Sequence, residues 1–436
     1  MGKVFYFIFC SWFFVSSWSL FSLAQDERPA GTFFTSEGMV FDVTFDRWDP
    51  QSDQMFFKQQ GNSFQIEFSS FLCWGAPAEF SLTDFTLVLT DGSAWAGEAP
   101  KMKNGQDSKA QDSEVIEWET INLGALDFPL DDAAGILFPG VPTGTQERFL
   151  TELREAHFEE DVLIFKTGER IFGEFLTFEE NTVTFQTREL ASGVSEELLP
   201  ELRQMHVAMD QLAALFFSGT LHLKSKPAPA AQKFFWFGLA DGSLIRFQTN
   251  ENRFNFQEIP PDQIVYVESP QKSQKFFNES LTSAAEKIEE RCWLDELKPA
   301  EAKTRGREIW PSWKAGAEPD GKRLHSSGKI WRHGLGMTAG TSLKWNLEGD
   351  FRHFGVLPVL ADSDRALAVP RVRCRILVDG KTAAEQILEP DSGPELVLVK
   401  VENAKELVLE TTNLSETGKP VPGGAAVNWL NVFLSP

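Results

Sequence analysis

The feature that most constrains this chain is a strand-turn-strand pattern that occurs four times in its first two-thirds. Each copy has a short apolar stretch, a turn that ends in glycine, and a second stretch of alternating apolar and polar residues. The copies include Phe33, Leu87, Val162 and Phe235 near their starts. A period of two is typical of strands with one buried face, and Asp-Gly pairs favour tight hairpins. The pattern predicts a series of small antiparallel β-sheets, which we expect to pack together or to pair edge to edge.

Segments with a different sequence pattern separate these sheets. In "TGTQERFLTELREAHFEED", Leu150, Leu153 and His157 recur at three- and four-residue spacing, which predicts a helix with Thr145 as its N-cap. A Pro/Ala-rich stretch, 224–233, predicts a hinge within the repeat region. The expected organisation is a signal peptide at 1–24, sheets one and two at 25–140, a helical connector at 141–160, sheets three and four at 161–270, a linker at 271–291, and a β-sandwich at 292–436.

The first residues have the character of a secretory signal peptide. A lysine precedes a strongly apolar run that ends in Ser22-Leu23-Ala24 before an acidic stretch, which predicts cleavage after Ala24. The alternative is an uncleaved anchor, because the run is close to the ~20 residues that span a bilayer. We expect a secreted, periplasmic or cell-envelope protein with no membrane span after cleavage.

Charge and cysteine content exclude several classes of protein. The net charge of -22 argues against nucleic-acid binding, which requires clustered Lys and Arg. Downstream of the apolar run stand Cys73, Cys292 and Cys374, an odd number with no CxxC spacing. We interpret these cysteines as small buried residues rather than a disulfide framework. No close pair of histidines has the spacing of a zinc site.

After residue 291 the sequence changes to longer strand-like stretches such as "HFGVLPVL" and "VRCRILVDGK". Strands at this spacing over about 140 residues predict a sandwich of jelly-roll type. Its glycine-rich stretch, "WRHGLGMTAGTSLKWNL", approximates a dinucleotide-binding fingerprint and a nucleophile elbow. Both motifs need a following helix, whereas "TSLKWNL" alternates like a strand. We therefore interpret the glycines as structural, in a turn where two backbones approach closely.

Residues 293–436 resemble the NPCBM family, a carbohydrate-binding module associated with family 98 glycoside hydrolases. The resemblance rests on motifs in the family's order and spacing, which are "DELKPAEAK" at Asp295, "SGKIWRHGLGMTAGTSLKWNL" at Ser327, "FRHFGVLPVLADSD" at Phe351, "VRCRILVDGK" at Val372, "LVLVKVENAKELVLETT" at Leu396 and "AVNWLNVFL" at Ala426. The N-terminal part resembles the β-rich repeats that precede this module in bacterial secreted proteins.

The sequence departs from the family pattern at four polar positions. The family histidine after "GLG" falls on Thr338, and the first aspartate of the family's pair falls on Ala361. Two aspartates of the closing motif fall on Asn428 and Asn431. The motifs that indicate the fold are kept, whereas fewer of the family's charged side chains are present at these four positions.

The resemblance implies a non-catalytic protein whose sandwich binds a glycan or polysaccharide weakly. Its implied contacts are the rings of Trp331 and Trp429 and the polar groups of His333, Asp362, Asp364 and Asn428. We expect no cofactor, with a structural calcium ion as an open alternative. One alternative function is a structural envelope protein whose sandwich has lost sugar binding and contacts other envelope proteins. Another is a glycoside hydrolase whose carboxylate pair lies in the repeats.

Overall fold

The computed structural model describes most of the chain in fourteen segments. These are residues 29–35, 38–49, 54–67, 71–103, 114–155, 158–188, 202–218, 234–248, 259–269, 292–304, 311–347, 351–362, 371–421 and 425–435. The predicted signal peptide, the hinge 224–233 and the linker 271–291 lie outside them. The described strands pair antiparallel, which confirms the predicted all-β class.

The N-terminal region forms one continuous sheet of nineteen strands within the described residues. The strands are β1 Ala30–Thr35, β2 Met39–Asp49, β3 Gln54–Gln59, β4 Asn62–Glu67, β5 Phe71–Gly75, β6 Phe85–Leu89, β7 Ala94–Gly97, β8 Lys101–Lys103, β9 Val115–Thr120, β10 Gly124–Pro129, β11 Ala133–Leu137, β12 Asp161–Phe165, β13 Arg170–Glu179, β14 Thr182–Arg188, β15 Leu202–Ala208, β16 Leu212–Phe216, β17 Phe234–Leu239, β18 Leu244–Gln248 and β19 Ile264–Glu268. One helix, α1 Thr143–Glu155, lies within the predicted connector. Short 3-10 turns at Leu130–Asp132, Met209–Gln211 and Pro261–Gln263 precede β11, β16 and β19.

Three of the predicted hairpins use the same hydrogen bonds. The backbone N–H of Leu89, Phe165 and Leu239 each donates to the carbonyl four residues later, at 2.8–2.9 Å. The glycine of each turn has a φ near 90°, a conformation in which a side chain is strained. At the predicted Glu37-Gly38 turn the hydrogen bond spans three residues instead of four, from the N–H of Thr35 to the carbonyl of Gly38.

The four copies join through their last strands in a nested order. β5 of the first copy pairs with β19 of the fourth, and Cys73 lies opposite Glu268. β11 of the second copy pairs with β16 of the third, and Leu137 lies opposite Ala214. A third, shorter pairing joins the fourth copy to the second, where Leu244 of β18 lies opposite Ala94 of β7. The small sheets therefore pair edge to edge, as expected.

Successive side chains of a strand point to opposite faces of the sheet. In each central strand pair both the inner and the outer face are apolar. The inner faces share one large core that is rich in Phe rings. The outer face of the β11–β16 pair is covered by α1, whose Phe149, Leu150 and Leu153 pack against Ala214 and Phe216. The outer face of the β5–β19 pair is covered by the C-terminal region instead.

The C-terminal region is a sandwich of two antiparallel sheets and a hairpin. One sheet has the order β22-β25-β32-β27-β30, with β20 added beside β32, and the other has the order β21-β26-β31-β28-β29. The strands are β20 Cys292–Trp293, β21 Glu301–Thr304, β22 Trp313–Ala315, β23 Leu324–Ser326, β24 Lys329–Trp331, β25 Gly334–Thr338, β26 Thr341–Asn346, β27 His353–Leu360, β28 Val372–Val378, β29 Lys381–Leu388, β30 Val397–Lys400, β31 Glu406–Asn413 and β32 Ala426–Ser435. A 3-10 turn at Leu294–Glu296 follows β20.

The glycine-rich stretch forms a strand rather than the predicted turn, because Gly334–Thr338 is β25 and the chain turns only at Ala339 and Gly340. The predicted close approach is confirmed. A Cβ on Gly336 would lie 2.4 Å from the carbonyl oxygen of Ala317. The glycines are thus structural. The cysteines at 73, 292 and 374 are buried and not in disulfides, as expected.

Candidate functional site

The fold brings five of the six predicted carbohydrate-contact residues together, and the sixth, Asp364, lies outside the described residues. The five are Trp331 at the end of β24, His333 just before β25, Asp362 just after β27, and Asn428 and Trp429 in β32. Because β32 lies between β25 and β27 in its sheet, motifs far apart in sequence converge here.

Four of these five side chains are almost completely buried. Trp331 and His333 are 8% and 5% exposed, and Asn428 and Trp429 are 0% exposed. The ring of Trp331 meets Phe34 of β1 edge-on, with centroids 5.8 Å apart, and Trp429 belongs to the core between the two sheets. A sugar stacks on an indole ring only where a ring face is open, so neither ring offers a platform in this arrangement.

Trp331 belongs to an apolar cluster between the N-terminal sheet and the sandwich, which we call the junction. Its buried members are Phe34, Leu72, Cys73, Trp236 and Tyr266 from the sheet and Trp293, Leu324, Trp331, Leu357, Val359, Leu430 and Phe433 from the sandwich. The sheet side is the outer face of the β5–β19 pair and its neighbours β1 and β17. The predicted sugar-contact edge of the sandwich is therefore in contact with protein.

A buried network of charges lies in the junction, centred on Glu268 at the end of β19. One carboxylate oxygen of Glu268 lies 3.1 Å from Nε2 of His333. The other accepts hydrogen bonds from Arg332 at 2.9 Å and from the hydroxyl of Tyr266 at 2.7 Å. Nδ1 of His333 lies 3.2 Å from Asp295. His333 thus lies between two carboxylates, one from each half of the protein.

The neighbouring opposite charges outweigh burial in setting the pKa of Glu268 and of His333. Burial works to raise the pKa of Glu268, but Arg332 and His333 lower it to about 2. Burial likewise works to lower the pKa of His333, but Glu268 and Asp295 raise it to about 10. A protonated imidazole donates from both nitrogens. His333 therefore has no nitrogen with which to accept a proton from a substrate, and it is unsuited to general-base catalysis.

Aromatic rings cover the two cations of this network. The ring of Trp293 stacks on His333 with centroids 4.3 Å apart and planes 7° apart. The guanidinium of Arg332 lies 3.8 Å from the ring centroid of Trp236 in β17. Cations over indole faces gain further electrostatic attraction. One ring comes from the sandwich and the other from the sheet, so the network joins both halves of the protein.

The two asparagines that replace family aspartates act as hydrogen-bond donors. Nδ2 of Asn428 donates to Glu318 and to the carbonyl of His325, each at 3.0 Å. Nδ2 of Asn431 donates to the sulfur of Cys73 in β5, at 3.4 Å. An aspartate carboxylate can donate neither bond. Both departures from the family pattern therefore have a structural explanation.

The other two departures also fit their surroundings. Ala361 is 0% exposed, where a carboxylate would be buried. The hydroxyl of Thr338 donates to the carbonyl of Ser312 at 3.2 Å and lies 3.1 Å from the hydroxyl of Thr341. The hydroxyl of Thr338 and the backbone N–H of Ala361 thus each donate to a backbone carbonyl of the sandwich.

Asp362 is the one described member of the predicted set that is not deeply buried. Its carboxylate accepts the backbone N–H groups of Ser327 and Gly328 at 2.9 and 3.0 Å, and so holds the turn of the β23–β24 hairpin. Ser327, Gly328 and Lys329 are exposed beside it. The predicted site therefore keeps a polar, solvent-facing part at this turn.

A second contact joins the sandwich to the N-terminal region at α1. Glu147 of α1 accepts the backbone N–H of Arg323 at 3.1 Å, and its other oxygen lies 3.7 Å from Nε of Arg323. The guanidinium of Arg323 lies 5.0 Å from the centroid of Phe80. Because Leu324 lies opposite Trp331, both contacts with the N-terminal region are at the open end of the β23–β24 hairpin, one on each strand.

A crevice opens at the side of the sandwich, where the edge strands of the two sheets approach each other. Pro358, Cys374, Gln386, Val397 and Trp429 are among its lining residues, and the space in it that a water-sized molecule can occupy is about 10 Å³. Ligand pockets usually exceed roughly 300 Å³. The crevice is therefore too small to be a strong candidate for an oligosaccharide site.

Within the described residues, no three His, Cys, Asp or Glu side chains form a group able to hold a metal ion. The same part of the chain contains no helix with the length and apolar character of a membrane span.

Residues 290–434 match the NPCBM/NEW2 domain family. The match covers the whole sandwich, and we therefore call it the NPCBM/NEW2 module. The resemblance inferred from the sequence motifs is thus confirmed for this part of the chain. Among curated proteins, none matches the chain.

Several solved structures resemble the module at low identity. The CBM51-2 and INT domains of Clostridium perfringens ZmpB are 19% identical over 33% of this chain and 31% of theirs, with a TM-score of 0.28. The CBM51 of Clostridium perfringens GH95 in complex with methyl-galactose is 18% identical over 33% of this chain and 99% of its own, with a TM-score of 0.29. A ZmpB structure of the M60 catalytic domain with CBM51-1 and CBM51-2 aligns with 93% of this chain and 51% of its own, at 9% identity and a TM-score of 0.29. This chain therefore spans about a third of the ZmpB CBM51-2 and INT structure.

Sequence analysis missed three residues of the charge network. Glu268 and Tyr266 lie on the sheet, and Asp295 lies in the NPCBM/NEW2 module, where it contacts His333. One signal was present, because Glu268 ends the apolar strand "IVYVE". A carboxylate at the end of an otherwise buried strand needs a cationic partner. The sequence does not show that the cationic partners of Glu268 are Arg332 and His333, which lie more than sixty residues further on.

Proposed function

We propose that the protein is a non-catalytic carbohydrate-binding protein that acts outside the cytoplasm, with glycan recognition by its NPCBM/NEW2 module. The match of residues 290–434 to this family carries the proposal. The apolar run that ends in Ser22-Leu23-Ala24 supports export.

Burial leaves the turn of the β23–β24 hairpin as the best-placed part of the predicted site. Asp362 holds this turn, and Asp364 stands two residues after Asp362 in the sequence. We propose that the sugar binds here through hydrogen bonds to exposed polar groups rather than on the buried rings of Trp331 and Trp429. Without an aromatic platform, the dissociation constant should be about millimolar, or roughly -4 kcal/mol.

Titration calorimetry of the full chain with galactose- and fucose-containing oligosaccharides tests this proposal. Heat is expected in the millimolar range, and Asp364→Asn should weaken binding several-fold. Asp379→Asn controls for the loss of one carboxylate elsewhere in the module, because Asp379 accepts the N–H groups of Lys405 and Glu406, and it should leave binding unchanged. Absence of heat at high millimolar sugar, with and without calcium, would contradict carbohydrate binding.

A structural role is the second candidate, and the burial of Trp331 and His333 favours it. In this role the module contacts protein, beginning with its own N-terminal sheet, and glycan binding has been lost. The same titration separates the two functions.

A further inference from the structure

We infer that the face of the sandwich that carries Trp331, Arg332 and His333 is a protein-recognition surface, whose partner is the β5–β19 strand pair of this same chain. This goes beyond the proposed function, because it assigns these residues to contact between the two regions and not to sugar.

The first argument is the equivalence of the two central strand pairs. Both pairs have an apolar outer face, and α1 covers that of the β11–β16 pair. No helix in the described residues covers the β5–β19 pair, and the sandwich packs there in the position that α1 takes on the other pair. Without the sandwich, Leu72, Trp236 and Tyr266 would form an exposed apolar patch, which soluble proteins rarely tolerate.

The second argument is complementarity of charge. The sheet contributes one buried carboxylate, that of Glu268, and the sandwich contributes two cations positioned on its two oxygens. Closely matched, desolvated pairs of this kind determine which surfaces associate.

The third argument is the chemistry of position 431. Nδ2 of Asn431 in β32 donates across the junction to the sulfur of Cys73 in β5, at 3.4 Å. Asn431 has a φ of 45° and lies where the pairing of β32 with β27 shifts register. A carboxylate at this position could not donate that hydrogen bond, so the amide of Asn431 is suited to the partner strand.

A weak glycan could not compete for this face. A ligand shifts an equilibrium by at most its differential binding to the two states. At a free sugar concentration one hundred times the dissociation constant, the equilibrium shifts by about 100-fold. Opening the junction exposes the whole apolar cluster and separates a carboxylate from both of its cations, so we expect saturating sugar to leave it closed.

Cys73 reports directly on the junction, because it is 1% exposed and lies at the contact with Asn431. Cys374 is 2% exposed in the core of the sandwich and serves as an internal control. The full chain is treated with N-ethylmaleimide, and the alkylation of each cysteine is followed by peptide mass spectrometry.

In the wild-type protein we expect both cysteines to react slowly. Arg332→Ala should accelerate alkylation of Cys73 by at least about 10-fold and leave Cys374 unchanged, because it opens the junction locally. Arg375→Ala is the control, since the Arg375 side chain is 31% exposed against 23% for Arg332, and its partner Glu410 is 26% exposed where Glu268 is 3% exposed. It should change neither rate. Saturating galactose- or fucose-containing oligosaccharide should also change neither rate.

Three results would overturn the inference. One is an unchanged Cys73 rate in Arg332→Ala. Another is a sugar-dependent change at Cys73 alone. The third is loss of calorimetric sugar binding in Arg332→Ala while Cys73 still reacts slowly, which would make this face the sugar site and leave the proposed function intact.

Arg332→Ala could also loosen the whole molecule, in which case both cysteines would react faster. Tyr266→Phe then decides the question, because it keeps the ring and removes only one donor to Glu268. Selective acceleration at Cys73 supports the inference, and equal acceleration at both cysteines overturns it. Absence of sugar heat in every variant would count against the proposed function alone.

Discussion

At the scale of single residues, the junction accommodates buried charge by giving every group a partner. The need of a buried polar group for a partner also bears on the composition of the chain, which has 39 Phe and two Tyr. The inner faces of the sheet offer apolar contacts, which a Phe ring satisfies without a polar atom. Tyr266 lies on the outer face, where its hydroxyl has Glu268 as an acceptor. A buried tyrosine is stable where such an acceptor exists.

The charge network predicts a specific pH dependence of stability. The pKa of His333 is raised from 6.5 to about 10 on folding, so its contribution is complete below pH 6.5 and is lost as the pH rises through 10. The pKa of Glu268 is lowered from 4.5 to about 2, so its contribution is present above pH 4.5 and is lost as the pH falls towards 2. We expect the wild-type melting temperature to fall between pH 7 and pH 10.

The variant His333→Gln should be less stable at pH 7, by roughly 3–5 kcal/mol, because it leaves the buried carboxylates without their shared cation. It should also show a smaller alkaline decline than the wild type. His353→Gln, outside the junction, serves as a control that keeps the wild-type slope. Thermal melts at pH 7, 8, 9 and 10 measure both effects, and equal alkaline slopes in wild type and His333→Gln would contradict the prediction.

At the scale of elements, the β5–β19 pair depends on a glycine. Gly75 ends β5 with a φ of 75°, and an added Cβ would lie 1.9 Å from the carbonyl oxygen of Val265. The two backbones therefore approach more closely than any side chain allows. Because Tyr266 and Glu268 follow on the same strand, this approach also sets the position of the charge network.

Two glycine-to-alanine variants separate close approach from backbone conformation. Gly61 has a φ of 82°, and a Cβ there would meet nothing within 4 Å. Gly61→Ala should cost about 1–2 kcal/mol from conformation alone. Gly75→Ala must also separate two strands, so it should cost more than roughly 4 kcal/mol or prevent folding. Urea unfolding measures both, and equal losses would show that β5 and β19 are not tightly joined.

At the scale of the whole molecule, the sheet and the NPCBM/NEW2 module share a buried apolar cluster and a buried charge network. Their boundary, predicted at 271–291, stays a prediction, because that segment lies outside the described residues. A linker of this kind usually separates regions that unfold independently. The junction instead couples the stability of each region to the other.

We therefore expect the full chain to unfold in a single calorimetric transition. Arg332→Ala should lower the melting temperature of both regions or divide the transition in two, because the shared contacts are weakened. Arg375→Ala should leave a single transition at the wild-type temperature. Two resolved transitions in the wild-type protein would show that the junction contributes little to stability.

The sequence by itself determined the local structure of this protein. Alternation with a period of two predicted the all-β class, and Gly92, Gly168 and Gly242 predicted three turns correctly. The motifs around "GLG" and "AVNWLNVFL" predicted the family of the C-terminal module. These features depend on residues close in sequence, whose spacing is set by backbone geometry alone.

Only the tertiary structure decided which surfaces meet. The sequence predicted Trp331 and His333 as carbohydrate contacts, and the fold places them against Phe34 and Glu268. A tryptophan beside polar residues has the same pattern whether a sugar or a strand pair covers it. What covers it depends on the nested pairing of β5 with β19, nearly two hundred residues apart, which leaves one apolar face for the sandwich to bury.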